Sequence, residues 1–222
     1  VVVDNHSTDK SMDILNKWKK KHDNFHIYQK KCTMGKGRNI AVSKSKGKWI
    51  VIVDTDTLYV DWFGEFVKKS IEQYPDFAVQ AIYGGVFPRT IWNEVGGRKN
   101  INTAEDFDMW MRIHQLGKMR WYPAKVGENI KDQSDSMDFA SKRYSSRFEK
   151  IKRLWKSEYD RWQLRIWEKQ DNKRIWKENS VDFGFAPLEK RWFGKKKRGS
   201  SFRQLVFLIK NSVKIVVRGG KK

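Results

Sequence analysis

Over residues 1–125, short apolar runs alternate with stretches whose apolar residues recur every three or four positions. Residues 1–4 form a β-branched run ending in a carboxylate, the composition of a buried parallel strand. Ser7 or Thr8 can cap a helix from about Asp9 to Lys21, with Ile14, Leu15 and Trp18 on its inner face. Residues 25–29 have strand composition. Gly35-Lys36-Gly37 opens a second helix that closes near Gly47. Residues 49–53 are the clearest buried strand, and the run stops at Asp54. A helix over residues 62–73 ends at Tyr74-Pro75, because the residue before proline avoids helical geometry. Residues 77–83 read as a fourth strand. Gly84-Gly85 and Gly96-Gly97 bracket a short helical segment containing Ile91, Trp92 and Val95. A helix over residues 105–116 is stopped by Gly117, and residues 119–122 make a short strand before Pro123. This alternation predicts an α/β, Rossmann-like domain with a mainly parallel sheet.

Past residue 130 the pattern changes. Tyr144, Phe148, Ile151, Trp155, Tyr159, Trp162 and Ile166 step by three or four, a helical stripe expected to pack on the first domain. A loop over residues 182–187 leads to the basic run Lys195-Lys196-Lys197-Arg198. Phe202, Leu205, Val206, Ile209, Val213 and Val216 then form a second stripe with Arg203, Lys210 and Lys214 interleaved. Such a cationic, amphipathic segment suits an interfacial membrane helix, with a strand at residues 213–217 as the alternative. The expected division is a domain over residues 1–130 and a basic, Trp-rich, mostly helical extension over residues 131–222.

Composition sharpens this picture. A hydrophobic fraction of 39% and 11 Trp exclude a disordered chain despite 33% charged residues. The net charge is +21, and residues 131–222 hold 26 Lys and Arg against 11 Asp and Glu, so most of the excess lies in the extension. A basic segment attracts nucleic acid, an anionic membrane surface or an acidic substrate. No nucleic-acid motif accompanies it, and aspartates at strand ends oppose a phosphate backbone, so no nucleic acid is expected as a partner. A single cysteine, Cys32, excludes an intramolecular disulfide and suits a reducing compartment. No apolar run approaches the roughly 20 residues that span a bilayer. The chain opens inside what reads as a strand, so a processed or fragmentary N-terminus is expected.

Three constellations carry chemistry. Ligands of open α/β sheets bind beyond the carboxyl ends of the strands, where two apolar runs end in Asp4 and Asp54. Asp56 follows Asp54 by two residues, so in an extended segment both carboxylates project to one side. Such a pair suits Mg2+ or Mn2+, hard ions that prefer oxygen; an Asp-rich turn after a strand is equally a common cap. Glu105-Asp106-Phe107-Asp108 at a helix start offers a general base for an acceptor hydroxyl, or simply acids that complement the helix dipole. Gly35-Lys36-Gly37-Arg38-Asn39 suits phosphate or a nucleotide base, or is a surface loop.

Together and in this order, the segments VVVDNHSTDKS, GKGRNIAVSKSKGKWIVIVDTDT, FPRTIWNEVGG and TAEDFDMWMRIHQLGKMRWYP resemble the family 2 glycosyltransferases of the GT-A fold. The resemblance covers roughly residues 1–125 and implies a metal-dependent, inverting transfer of sugar from a nucleotide-sugar. It implies that Asp4 and Asn5 contact the nucleotide, that Arg38 lies near the base or diphosphate, and that Asp54 faces the nucleotide-sugar. Asp56 would be the chief metal ligand beside Asp54, and Asp106 the catalytic base, supported by Glu105 and Arg112. Gly84, Gly85, Gly96 and Gly97 would shape the acceptor side. The family has an earlier strand with a Thr-Tyr-Asn-like segment and a helix that this sequence lacks, so the domain reads as N-terminally incomplete. The implied acceptor group is a hydroxyl or a lipid phosphate, on a glycan, a lipid-linked molecule or a protein, met by a cytoplasmic enzyme peripheral to the inner face of the cell membrane. The rival readings are a basic nucleic-acid-binding protein and an inactive glycosyltransferase-like remnant.

Overall fold

The computed structural model describes residues 1–129, 152, 155–156, 159–160 and 172–189. The elements follow as β1 (Val2–Asp4), α1 (Ser11–Lys21), β2 (Ile27–Gln29), α2 (Met34–Lys44), β3 (Trp49–Ile52), β4 (Thr57–Tyr59) and α3 (Phe63–Gln73). Then come β5 (Ala78–Ile82), β6 (Gly84–Pro88), α4 (Arg89–Glu94), α5 (Glu105–Gln115), β7 (Met119–Lys125), β8 (Gly127–Asn129) and α6 (Asn172–Glu178).

Alternation along the strands builds a core on both sides of one sheet, ordered β3-β6-β5-β7. Ile50, Ala78, Phe87, Met119 and Trp121 face one way, against Val42 of α2, Ile91 and Trp92 of α4, and Met109, Trp110 and Ile113 of α5. Val79, Ala81, Val86, Tyr122 and Ala124 face the other way, against Phe66 of α3 and Phe183. The expected α/β architecture is present, and its pairings are mixed. β1–β2 and β5–β7 are parallel, whereas β6 runs antiparallel to both β3 and β5.

β6 is the element the sequence hid, because Gly84-Gly85 reads as a turn rather than a strand. The glycines are required by close packing: a Cβ at Gly84 would lie 2.6 Å from Val126 Cγ2, and one at Gly85 would lie 2.9 Å from Trp110 Cζ2. Ala81 pairs with Gly84, so the β5–β6 turn is only Ile82-Tyr83, with Tyr83 at φ 71°. β7 runs through Pro123 because its register with β5 slips there, pairing Ala81 with Tyr122 and then Ile82 with Lys125.

Two expectations about burial fail. β3 is an edge strand of its sheet, and only Ile50 of its four residues is buried. Helix α1 turns Ser11, Met12 and Leu15 inward and leaves Ile14 54% and Trp18 52% exposed, where Trp18 stacks on His22. Helical period alone marked these residues as one face without saying what would cover it.

Residues 172–189 return to the domain. Trp121 and Val181 exchange backbone hydrogen bonds with residues 179 and 121 along the outer edge of β7, and Ile175 and Phe183 are buried in the core. The loop expected at residues 182–187 is irregular and lies here. In the first stripe, Trp155 and Tyr159 are 40% and 61% exposed, so those two are not part of the packed core. The remaining stripe residues named above, the run at residues 195–198, the second stripe and the alternative strand at residues 213–217 lie outside the described residues. Among the described residues no helix is long and apolar enough to cross a membrane.

Candidate active site

The carboxyl ends of β1 and β3 and the start of α5 supply the predicted acids. At the end of β1, buried Asp4 accepts hydrogen bonds from the Ser7 backbone N–H at 3.1 Å and from Gln29 Nε2 at 3.2 Å. Burial pushes its pKa up, but the bonds from Ser7 and Gln29 outweigh that and hold it below 3.8. Asn5 Oδ1 accepts the Cys32 N–H at 2.9 Å, fixing the turn against the loop after β2. The structure therefore shows both residues shaping the strand end.

The DTD segment is a turn and not an extended stretch. The Thr57 N–H donates to the Asp54 carbonyl at 3.2 Å, so the alternation argument for Asp54 and Asp56 does not apply. The Asp54 N–H donates to the Tyr59 hydroxyl at 2.9 Å, which seats the turn on the first residues after it. Asp54 is exposed and Asp56 half-buried.

Arg38 joins this turn to α5. Its Nη2 lies 2.6 Å from Asp54 Oδ1, and its Nη1 donates to Glu105 Oε1. Buried Arg98 reaches the same Glu105 oxygen at 3.1 Å. The two ends of the Arg38–Glu105 pair respond differently. Burial opposes the Arg38 charge, yet the Asp54 and Glu105 carboxylates raise its pKa overall. For Glu105, burial and the neighbouring Asp106 charge outweigh both arginines, so its pKa is raised. Asp106 is exposed in the first turn of α5, with Oδ1 accepting the Phe107 N–H at 2.8 Å. Ala104, immediately before, sits at φ 58°, a left-handed conformation that costs a non-glycine residue about 1 kcal/mol.

The loop between Val95 and Ala104 is clamped from two sides. Asn39 Nδ2 donates to the Arg98 carbonyl at 2.7 Å while its Oδ1 accepts the Arg98 N–H at 2.9 Å. Gly97, at φ 68°, has no room for a side chain, since a Cβ would lie 2.6 Å from Asn39 Oδ1. Arg112 donates to the Gly97 carbonyl at 2.7 Å and to the Val95 carbonyl. Gly96 has φ 70° in the same turn. At the far end, Gly35 presses on the loop so closely that a Cβ would sit 1.9 Å from the Lys99 carbonyl oxygen. Asn102 Oδ1 accepts the Met34 N–H at 3.0 Å, and the Asn102 N–H donates to buried Asp160 at 3.0 Å.

Arg38, Asp54 and Glu105 are thus brought together, with Asp106 adjoining. Gly96, Gly97 and Arg112 build the loop that carries Arg98, while Gly84 and Gly85 lie in β6. Reading the sequence missed Arg98, and it named Asp108 among the helix-start acids without its buried ion pairs. Asp108 is fully buried, 2.8 Å from Lys99 Nζ and 2.8 Å from Arg112 Nη2; its i,i+4 spacing to Arg112 was the available signal. Nothing in the sequence separates Arg98 from a surface arginine.

The donor chemistry of the DTD turn fits a hard divalent ion. No cluster of three or more His, Cys, Asp or Glu able to hold a metal exists among the described residues. Two carboxylates are nevertheless sufficient where diphosphate oxygens and water complete the shell, the usual manner of Mg2+ binding.

Residues 1–130 match the family described as Glycosyl transferase family 2. The chain belongs to this family. Over 102 residues it is 30% identical to the poly(ribitol-phosphate) beta-glucosyltransferase of Bacillus spizizenii, a stretch covering 42% of this chain and 16% of that protein. The mannosyltransferase PcManGT from Pyrobaculum calidifontis, solved with GDP-Man and Mn2+, aligns with 70% of this family 2 chain and 51% of its own at TM-score 0.53 and 16% identity. That likeness is one of fold, the GT-A fold. S. aureus TarS 1-349 in complex with UDP-GlcNAc aligns over 54% of this chain and 45% of its own, with TM-score 0.47 and 16% identity.

Asp108 gives a direct test of the clamp. Asp108→Ala leaves Lys99 and Arg112 without their buried counter-ion and should destabilise the fold by about 3 kcal/mol, read as a lowered urea midpoint with an unchanged slope.

Proposed function

We propose that this chain carries the donor site of an inverting, metal-dependent glycosyltransferase. The observation that supports it most is Arg38, which ties the DTD turn after β3 to the acidic start of α5 in a member of family 2. In this reading Asp54 and Asp56 hold Mg2+ or Mn2+, and the ion would neutralise the nucleotide diphosphate as it departs. The Mn2+ in the fold relative agrees with this choice. Asp4 and Asn5 border the nucleotide, and Arg38 lies near the base or diphosphate.

Asp106, exposed at the helix start, takes the proton of the acceptor hydroxyl. The oxygen so freed attacks the anomeric carbon from the face opposite the diphosphate. The carbon–oxygen bond to the diphosphate breaks, the nucleoside diphosphate leaves with the electron pair, and the anomeric configuration inverts. Glu105, held by Arg38 and Arg98, keeps α5 in place for that transfer. Gly84, Gly85, the Gly96-Gly97 turn and Arg112 form the acceptor side. The acceptor is a glycan, a lipid-linked molecule or a protein. The named relative acts on poly(ribitol-phosphate), and an anionic, surface-bound acceptor is consistent with the net charge of +21. The basic extension over residues 131–222 would hold the protein at the inner face of the membrane.

A panel of nucleotide-sugars, assayed for Mn2+-dependent hydrolysis and transfer, identifies the donor. Asp56→Ala should abolish turnover without lowering the melting temperature, and metal-independent activity would remove the metal from the mechanism. Asp106→Asn should leave donor affinity nearly unchanged and slow transfer by about 10²- to 10⁴-fold; an equal loss of binding would place the base elsewhere. Flotation with anionic liposomes should require residues 199–218, and flotation of the shortened protein would exclude that anchor.

A further inference from the structure

We infer that Arg38 is an exchangeable counter-ion that makes metal binding at the Asp54 turn depend on the nucleotide diphosphate. The inference rests on the donor-site reading above. Both amino groups of Arg38 are engaged by the protein itself, Nη2 by Asp54 and Nη1 by Glu105. A divalent ion arriving alone meets a guanidinium already bonded to Asp54 Oδ1, and must either displace it or sit beside that like charge, with no new anion to hold either. A diphosphate removes the obstacle, because it offers Arg38 a bidentate partner and bridges to the ion.

Release of Arg38 is made easy at both of its carboxylates. The Asp54 side chain is 51% exposed, so water can solvate its carboxylate once Arg38 turns away. Glu105 is buried and would be costly to abandon, but it is not abandoned. Arg98, only 5% exposed, shares the same Oε1 and stays, its backbone held on both sides by Asn39. The second arginine therefore leaves Glu105 with a counter-charge whichever way Arg38 points. Turn and helix start are coupled through one side chain that can change partners.

The measurement is Mn2+ binding by electron paramagnetic resonance, alone and with the common nucleoside diphosphates, corrected for Mn2+ held by free nucleotide. For the unaltered protein, one diphosphate should tighten Mn2+ about tenfold, and Mn2+ should tighten that diphosphate by the same factor. Arg38→Met should bind Mn2+ alone several-fold tighter and show several-fold weaker coupling, keeping the part that the bridging diphosphate supplies. Arg38→Lys, with one charge and no fork, should fall between and serves as the deciding variant if melting shows Arg38→Met to be unfolded. Unchanged Mn2+ affinity with coupling intact in the folded variants would overturn the inference. Absence of Mn2+ binding to the unaltered protein with every diphosphate would instead overturn the donor-site reading, and the inference with it.

Discussion

The Glu105 carboxylate, buried at the start of α5 between two arginines, is the interaction on which the site is built. A carboxylate at that depth must be neutralised or lose its proton-free form. Arg38 satisfies it from α2 and Arg98 from the loop before α5, so one buried charge fixes three pieces of backbone. The remaining contacts of the region serve that arrangement. Asn39 and Gly97 hold the backbone of Arg98, Gly35 lets α2 approach the loop, and the Lys99–Asp108–Arg112 cluster anchors the loop to α5.

Elements whose burial repeats along the chain were legible in the sequence. β5, α3 and α5 fall close to where alternation and helical period put them, since their apolar faces do meet a partner. β6 was hidden because its two glycines answer to Val126 and Trp110, neighbours distant in sequence. α1 shows the opposite limit: Ile14 and Trp18 keep helical spacing although both stay more than half exposed. The site divides in the same way. Asp54, Glu105, Asp106 and Arg38 were visible because short motifs surround them, whereas the role of Arg98 depends on a contact with Glu105 inside a folded loop. The geometry of the DTD segment was misjudged because one hydrogen bond, from Thr57 to Asp54, decides between turn and extended chain.

Family membership adds a chemistry to this framework while leaving its particulars to the residues. The chain spans 16% of its curated glucosyltransferase relative and 51% of the mannosyltransferase that shares its fold. What it holds in common with the mannosyltransferase is the layered α/β fold. The paired arginines around Glu105 are read from this chain's own contacts.

The return of residues 179–181 along β7 bears on how the molecule can be divided. Sequence patterning draws a border near residue 130, but Phe183, from far beyond it, packs against Phe66 and Tyr122. A protein trimmed at that border would bare an apolar wall together with a row of unpaired backbone groups. Such an edge recruits strands from other chains, so the trimmed protein would be prone to self-association even with every acid of the site in place. The later segment thus acts as a lid on the sheet, and solubility joins chemistry among the properties that depend on it.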